Sequence, residues 1–184
     1  MRTAYERAPT FGSGVPARRP ALFGSAGPDV ESRMEKLRYS VKINAPAHAV
    51  WSTMLDDASY REWTSVFHNG SYYEGGWDKG AEIRFLGPDD DGKLGGMIAT
   101  VEENRPHEFI SLRYTGQIID GAEDTTSDAA KAFIGAHENY SFREADGATT
   151  LEVEVDSEEE FAAEFNAAWP LALARLKELT ESRS

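Results

Sequence analysis

The stretch Leu37-Arg38-Tyr39-Ser40-Val41-Lys42-Ile43-Asn44-Ala45-Pro46-Ala47-His48-Ala49-Val50-Trp51 decides the fold, because its hydrophobic period changes in the middle. Leu37, Tyr39, Val41 and Ile43 alternate with polar residues, the pattern of a half-buried strand. Pro46 ends the strand and opens a helix. Val50, Trp51 and Met54/Leu55 then recur at helical spacing over residues 47–55. Residues 56–63 follow as a second short helix, with Asp56 or Asp57 able to accept its first free amides.

C-terminal to this pair the sequence predicts strands over residues 71–74, 81–86, 96–103, 109–115, 139–143 and 149–155. In the second of them Ile83 and Phe85 point inward and Glu82 and Arg84 outward. Gly75-Gly76, residues 87–92 and Asp146-Gly147 supply the turn chemistry of an antiparallel meander. The longer connection over 120–136 holds a turn or two of helix at 127–133 and is expected to lie over an edge or mouth. The last element is a long helix. Ser157 with Glu160 predicts a capping box, and Phe161, Phe165, Trp169, Leu173 and Leu176 form one apolar stripe. Pro170 removes a backbone donor inside it, so a kink or a break is expected near residues 166–169.

N-terminal to the strand the character changes. Residues 1–33 hold five arginines against three acids, with Pro9, Pro16, Pro20 and Pro28 among small residues, and have no period. They read as a disordered tail, and residues 34–184 as one domain. An export signal is not expected, since glycine and proline at 24–28 follow Arg18-Arg19 where an apolar stretch belongs. The whole chain of 184 residues carries 19 basic and 32 acidic side chains, a formal charge of −13. That charge disfavours nucleic acid and anionic membranes as partners. The absence of cysteine excludes disulfides, thiolate metal sites and a cysteine nucleophile, and makes a reducing cytoplasm the expected location. No apolar run reaches the roughly 20 residues of a membrane-spanning helix.

Strand, two short helices, six strands and a long helix describe an α+β helix-grip fold, a curved seven-stranded antiparallel sheet around a C-terminal helix. The residues at 43–51, Trp63, Tyr73-Glu74-Gly75-Gly76, and Trp169-Pro170 followed by Leu173 and Leu176 resemble the Hsp90-ATPase-activator-homologue branch of the START-like (SRPBCC) superfamily. The resemblance covers about residues 36–181. It implies a cavity between sheet and helix and, for most members, small-molecule binding, with no shared catalytic set to carry over. The co-chaperone that names the branch joins such a domain to a separate chaperone-contacting domain. Here 33 low-complexity residues stand in that place, so an Hsp90-type chaperone is not the partner expected first.

Familiar catalytic motifs fail on inspection. His107-Glu108 and His137-Glu138 each begin like a zinc-helix motif but lack the second histidine and fall on strands. Asp89-Asp90-Asp91-Gly92 has no glutamate at the position a calcium loop requires, and reads as a solvated turn. Gly12-Ser13-Gly14-Val15-Pro16-Ala17 fits the dinucleotide fingerprint only formally, because no strand precedes it. No nucleophile elbow occurs, and the histidines have no spacing that identifies a base. Neither a metal nor a cofactor is expected.

The remaining candidate is the cavity. Trp63 and Phe67 approach it from the second helix, Tyr72 or Tyr73 and Trp77 from the first hairpin, and Phe85, Tyr114 and Tyr140 from the sheet. Phe165 and Trp169 face it from the last helix. These rings suit an apolar or planar ligand, and they equally suit a packed core. Glu138 shares a face with Tyr140 and Phe142 if alternation holds. It is then a ligand-orienting acid or a general base with a raised pKa, whereas a register shift would leave it solvated. Arg113 is out of phase with its neighbours and is expected to pair with surface acids, and His68 and His107 to lie on the surface. Two function classes stay open. The first is a non-enzymatic binding or carrier domain for a small hydrophobic molecule, and the second a cyclase, dehydratase or hydrolase using the same cavity. An interaction role, such as chaperone regulation, is a third.

Overall fold

The computed structural model describes residues 34–89 and 91–183, so the expected tail at 1–33 lies outside the described residues. Alternation in the first strand produces β1 (Met34–Ile43), and Pro46 starts α1 (Ala47–Leu55). Asp56 accepts the Ser59 amide and so caps α2 (Asp57–Thr64). The meander is β2 (Tyr72–Gly75), β3 (Glu82–Pro88), β4 (Leu94–Arg105) and β5 (Phe109–Ile119). A three-residue strand that the periodicity does not signal, β6 (Ala122–Asp124), pairs back on the end of β5. Ser127 caps α3 (Asp128–Phe133), and β7 (His137–Ala145), β8 (Ala148–Glu158) and α4 (Glu159–Glu181) complete the chain.

All strand pairs are antiparallel, in the order β1-β8-β7-β5-β4-β3-β2 with β6 off this path. Asp146 and Gly147, with φ of 53° and 74°, make the tight β7–β8 turn that right-handed strand twist favours. Register shifts at Ile98/Ala99 and between Val101 and Glu103 interrupt the β4–β5 ladder, and such bulges bend a sheet. The sheet curls, and α4 packs against β1, α1 and α2. Ile43, Val50, Met54, Ile83, Leu112, Leu151, Leu173 and Leu176 fill the core between them.

Two expectations about α4 are corrected. Ser157 does not cap it: β8 continues to Glu158 because Ser157 and Glu158 pair with Glu35 and Met34, and the Ser157 hydroxyl donates to the Glu158 carbonyl. Strand pairing outweighs the local capping box. Of the kink or break expected near residues 166–169, the break does not occur: the helix runs unbroken from Glu159 to Glu181 with Pro170 inside it. Pro170 lies on the exposed face, while Trp169 and Leu173 hold the flanking turns against the core. Loss of one backbone hydrogen bond is offset by that burial.

Candidate cavity

The elements leave a cavity of about 170 Å³ between the concave sheet, α2 and the N-terminal half of α4. From α2 and the turn after it come Tyr60, Trp63, Thr64 and Phe67, which share one helical face. The Trp63 indole is fixed by donation to the Met54 carbonyl at 3.1 Å. From α4 come Phe161, Phe165 and Trp169, one turn apart. Trp169 is only 3% exposed, and its ring centroid lies 4.9 Å from Phe67 and 6.2 Å from Tyr140. Phe133 of α3 packs on Phe161 at 5.7 Å and closes one side.

The sheet supplies the polar part. Glu138 lies opposite Leu112 and Val155, with Tyr140 two residues on along the same face and Tyr114 its diagonal neighbour on β5. Strand β7 begins at His137 with no displacement, so Glu138 turns inward. The Tyr114 hydroxyl donates to one Glu138 oxygen at 2.8 Å, and the Tyr140 hydroxyl donates to the other. What surface Glu138 retains faces the cavity. Burial pushes its pKa above the usual glutamate value, and the two tyrosine hydrogen bonds oppose that shift without cancelling it. Burial and the adjacent carboxylate raise the hydroxyl pKa values of Tyr60, Tyr114 and Tyr140 well above the tyrosine norm, so all three are neutral donors near pH 7.

Eight of the ten residues expected at a cavity line it: Trp63, Phe67, Phe85, Tyr114, Glu138, Tyr140, Phe165 and Trp169. Tyr73 and Trp77 do not, which corrects the sequence reading. The Tyr73 hydroxyl donates to the Leu55 carbonyl at 2.8 Å, and its ring meets Tyr60 and Trp77 edge-on. These two rings form an aromatic layer behind Phe85, because β2 is short and pinned beneath α2. Tyr72 instead lies under the Arg61 guanidinium. His68, expected on the surface, lines the cavity mouth beside Gly87. His107 is exposed, edge-on to Trp51, and Arg113 pairs with Glu102 on the outer face.

Tyr60 was not anticipated, although its spacing from Trp63, Thr64 and Phe67 marks the same helical face. Phe161 shares the stripe of Phe165 and Trp169, whereas Phe133 and Asp156 have no local signal, since they depend on where α3 and the end of β8 come to rest. Among the described residues the indole Nε1 atoms of Trp77 and Trp169 are buried without a partner. The site therefore combines apolar walls with one carboxylate held by two tyrosines. It can grip a planar ring that carries a donor, or hold a proton at Glu138.

A family described as polyketide cyclase / dehydrase and lipid transport matches residues 34–181. Among curated proteins none matches. Similar solved structures include DynU16, a protein of the dynemicin biosynthetic locus, at 18% identity and a TM-score of 0.59 over 81% of this chain and 48% of that one. The chain thus spans about half the length of DynU16. CalU16 from Micromonospora echinospora is 15% identical with a TM-score of 0.56, over 80% of this chain and 76% of that one. The Aha1 dimer from Colwellia psychrerythraea is 16% identical with a TM-score of 0.58, over 80% and 96%. At these identities the likeness is one of fold.

Proposed function

Since the chain belongs to the polyketide cyclase / dehydrase and lipid transport family of the START-like superfamily, we propose that its cavity binds a small, largely apolar ring-bearing molecule and that the domain serves as a cytoplasmic binder or carrier. The observation that carries this reading is an aromatic-walled space of about 170 Å³ beside the buried core. Close-packed interiors leave few voids larger than a water molecule. Tyr60, Trp63, Phe67 and Trp169 are rigid, and Glu138 is the single carboxylate among them held only by neutral groups, an arrangement suited to orienting an apolar guest.

The test is native mass spectrometry of the full chain, purified under mild conditions, together with titration by the neutral fluorophore N-phenyl-1-naphthylamine. A defined adduct released on denaturation, or saturable fluorescence enhancement lost in Phe67→Ala, is the expected result. Identical native and denatured masses with no enhancement would overturn the reading.

The hydrogen-bonded set of Glu138, Tyr114 and Tyr140 favours a second reading, acid–base catalysis on the same guest. A carboxyl with a raised pKa beside two neutral hydroxyls can take and return a proton. Under that reading Glu138→Gln abolishes turnover and spares binding; unchanged turnover counts against it.

A further inference from the structure

The polar lining of the cavity is one-sided. It includes the carboxylates of Glu138 and Asp156, and His68, but no lysine or arginine. Asp156 is compensated at the rim, where the Lys36 ammonium lies 2.7 Å away and the His137 ring adjoins it. Glu138 differs. Its partners are two neutral hydroxyls, and among the described residues no cationic group lies within ion-pair distance of it. A partly buried carboxylate on an apolar wall without a counter-ion is unfavourable, and a bound cation relieves that. A carboxylate also has about four acceptor sites, of which the two tyrosines occupy one on each oxygen.

The walls suit the same guest. Tyr114 and Tyr140 hold Glu138 through their hydroxyls, and the Trp169 ring stands next to Tyr140, so aromatic walls adjoin the carboxylate. Aromatic faces attract ammonium groups, most strongly when water is excluded. The chain's formal charge of −13 favours approach by cations. A wholly apolar guest would use the aromatic walls but leave Glu138 without a counter-ion.

Resting on the reading of the cavity as a small-molecule site, we propose that its guest is a ring-bearing amine in its protonated form. The ammonium sits against Glu138 among the tyrosines, and the ring lies on the aromatic wall that Trp63, Phe67 and Trp169 form by packing on one another.

The experiment is isothermal titration of the full chain with 2-(2-naphthyl)ethylamine and with 2-(2-naphthyl)ethanol, which differ only in ammonium against hydroxyl. The expected result is binding of the amine about tenfold or more tighter than the alcohol, with the two brought near parity in Glu138→Gln. Equal affinities, or preference for the alcohol, would overturn the amine proposal and leave the cavity reading intact. A preference for the amine that persists in Glu138→Gln would place the amine on the acidic surface and also overturn it. If neither probe binds while N-phenyl-1-naphthylamine does, the amine proposal fails alone; if none of the three binds, both readings fail.

Discussion

Replacing Glu138 by glutamine is expected to stabilise the empty protein at neutral and alkaline pH. The amide keeps the shape of the carboxylate. Its Oε1 can accept one tyrosine proton and its Nε2 can donate to the other hydroxyl, so both contacts at Tyr114 and Tyr140 survive. The change is in charge. Two hydrogen bonds to an ion, about 1.5–3 kcal/mol each, become neutral bonds of about 0.5–1.5 kcal/mol. Against that loss stands the desolvation of an enclosed carboxylate, which costs several kcal/mol. Several kcal/mol of desolvation against about 2–3 kcal/mol lost over the two bonds leaves the balance with the neutral side chain by about 1–2 kcal/mol, and the raised pKa of Glu138 has the same direction.

The pH dependence follows from the same shift. With the folded-state pKa above that of the unfolded chain, the unfolded chain releases this proton first as pH rises. Stability of the parent protein therefore declines between the two pKa values and levels off above the higher one. Below the ordinary glutamate range both states hold the proton, and parent and variant converge. Urea unfolding followed by circular dichroism at about pH 4 and about pH 8 measures this. At a slope of roughly 2 kcal/mol/M the variant midpoint should lie about 0.5–1 M higher at pH 8 and coincide with the parent at pH 4. A variant less stable than the parent at pH 8, or a difference independent of pH, would refute the reasoning. If the gain appears together with loss of amine preference, Glu138 is a group kept at a cost to stability, as functional sites commonly are.

Trp169→Ala removes a nearly fully buried ring that stacks on Tyr39 at 5.7 Å and meets Phe67 edge-on at 4.9 Å. It should cost about 3–5 kcal/mol in urea unfolding; a loss below about 1 kcal/mol would mean that α4 does not anchor here. Thr149→Val deletes a hydroxyl, 0% exposed, that donates to the Ala45 carbonyl at 2.8 Å. Leaving that acceptor unpaired should cost about 1–3 kcal/mol in the same measurement, and an unchanged midpoint would contradict the assignment. Asp124 accepts from the amides of Thr126 and Ser127 at 3.2 and 3.0 Å and from Gln117 at 3.0 Å, and these bonds with that from the Ser127 hydroxyl hold its pKa well below the carboxylate norm. A depressed folded-state pKa gives order that is present above the unfolded value and lost as pH falls through the folded one. Asp124→Asn should lower amide-exchange protection at Thr126 and Ser127 near pH 7, and equal protection would rule out the carboxylate as the organiser of that loop.

The elements most legible in the sequence are those whose signal is local. Alternation at 37–43, the Asp56 cap, the Asp146-Gly147 turn and the Ser127 helix start each depend on contacts within about four residues, and each occurs where the sequence predicts it. The inward rank of Phe85, Tyr114 and Tyr140 follows from period-two alternation once the strands are placed. Local signals fail where a distant partner competes. Ser157 looks like a helix cap until β1 pairs with it, and the first amide of α1 is satisfied by Glu144 from β7, 97 residues away, at 2.7 Å.

The sequence by itself determined the order of elements, the antiparallel meander and the aromatic character of the space under α4, because hydrophobic period and turn chemistry act within a few residues. Only the tertiary structure decided which rings reach that space. The bond from Tyr73 to the Leu55 carbonyl and the packing of Trp77 on Tyr73 and Phe85 keep those two rings out of it, and the resting places of α3 and β8 bring in Phe133 and Asp156. The register of β7 against β5 sets Glu138 beside Tyr114, 24 residues earlier in the chain. That meeting turns an ordinary glutamate into an enclosed, hydrogen-bonded carboxylate, and cross-strand register is a property of the whole sheet, which no single segment encodes.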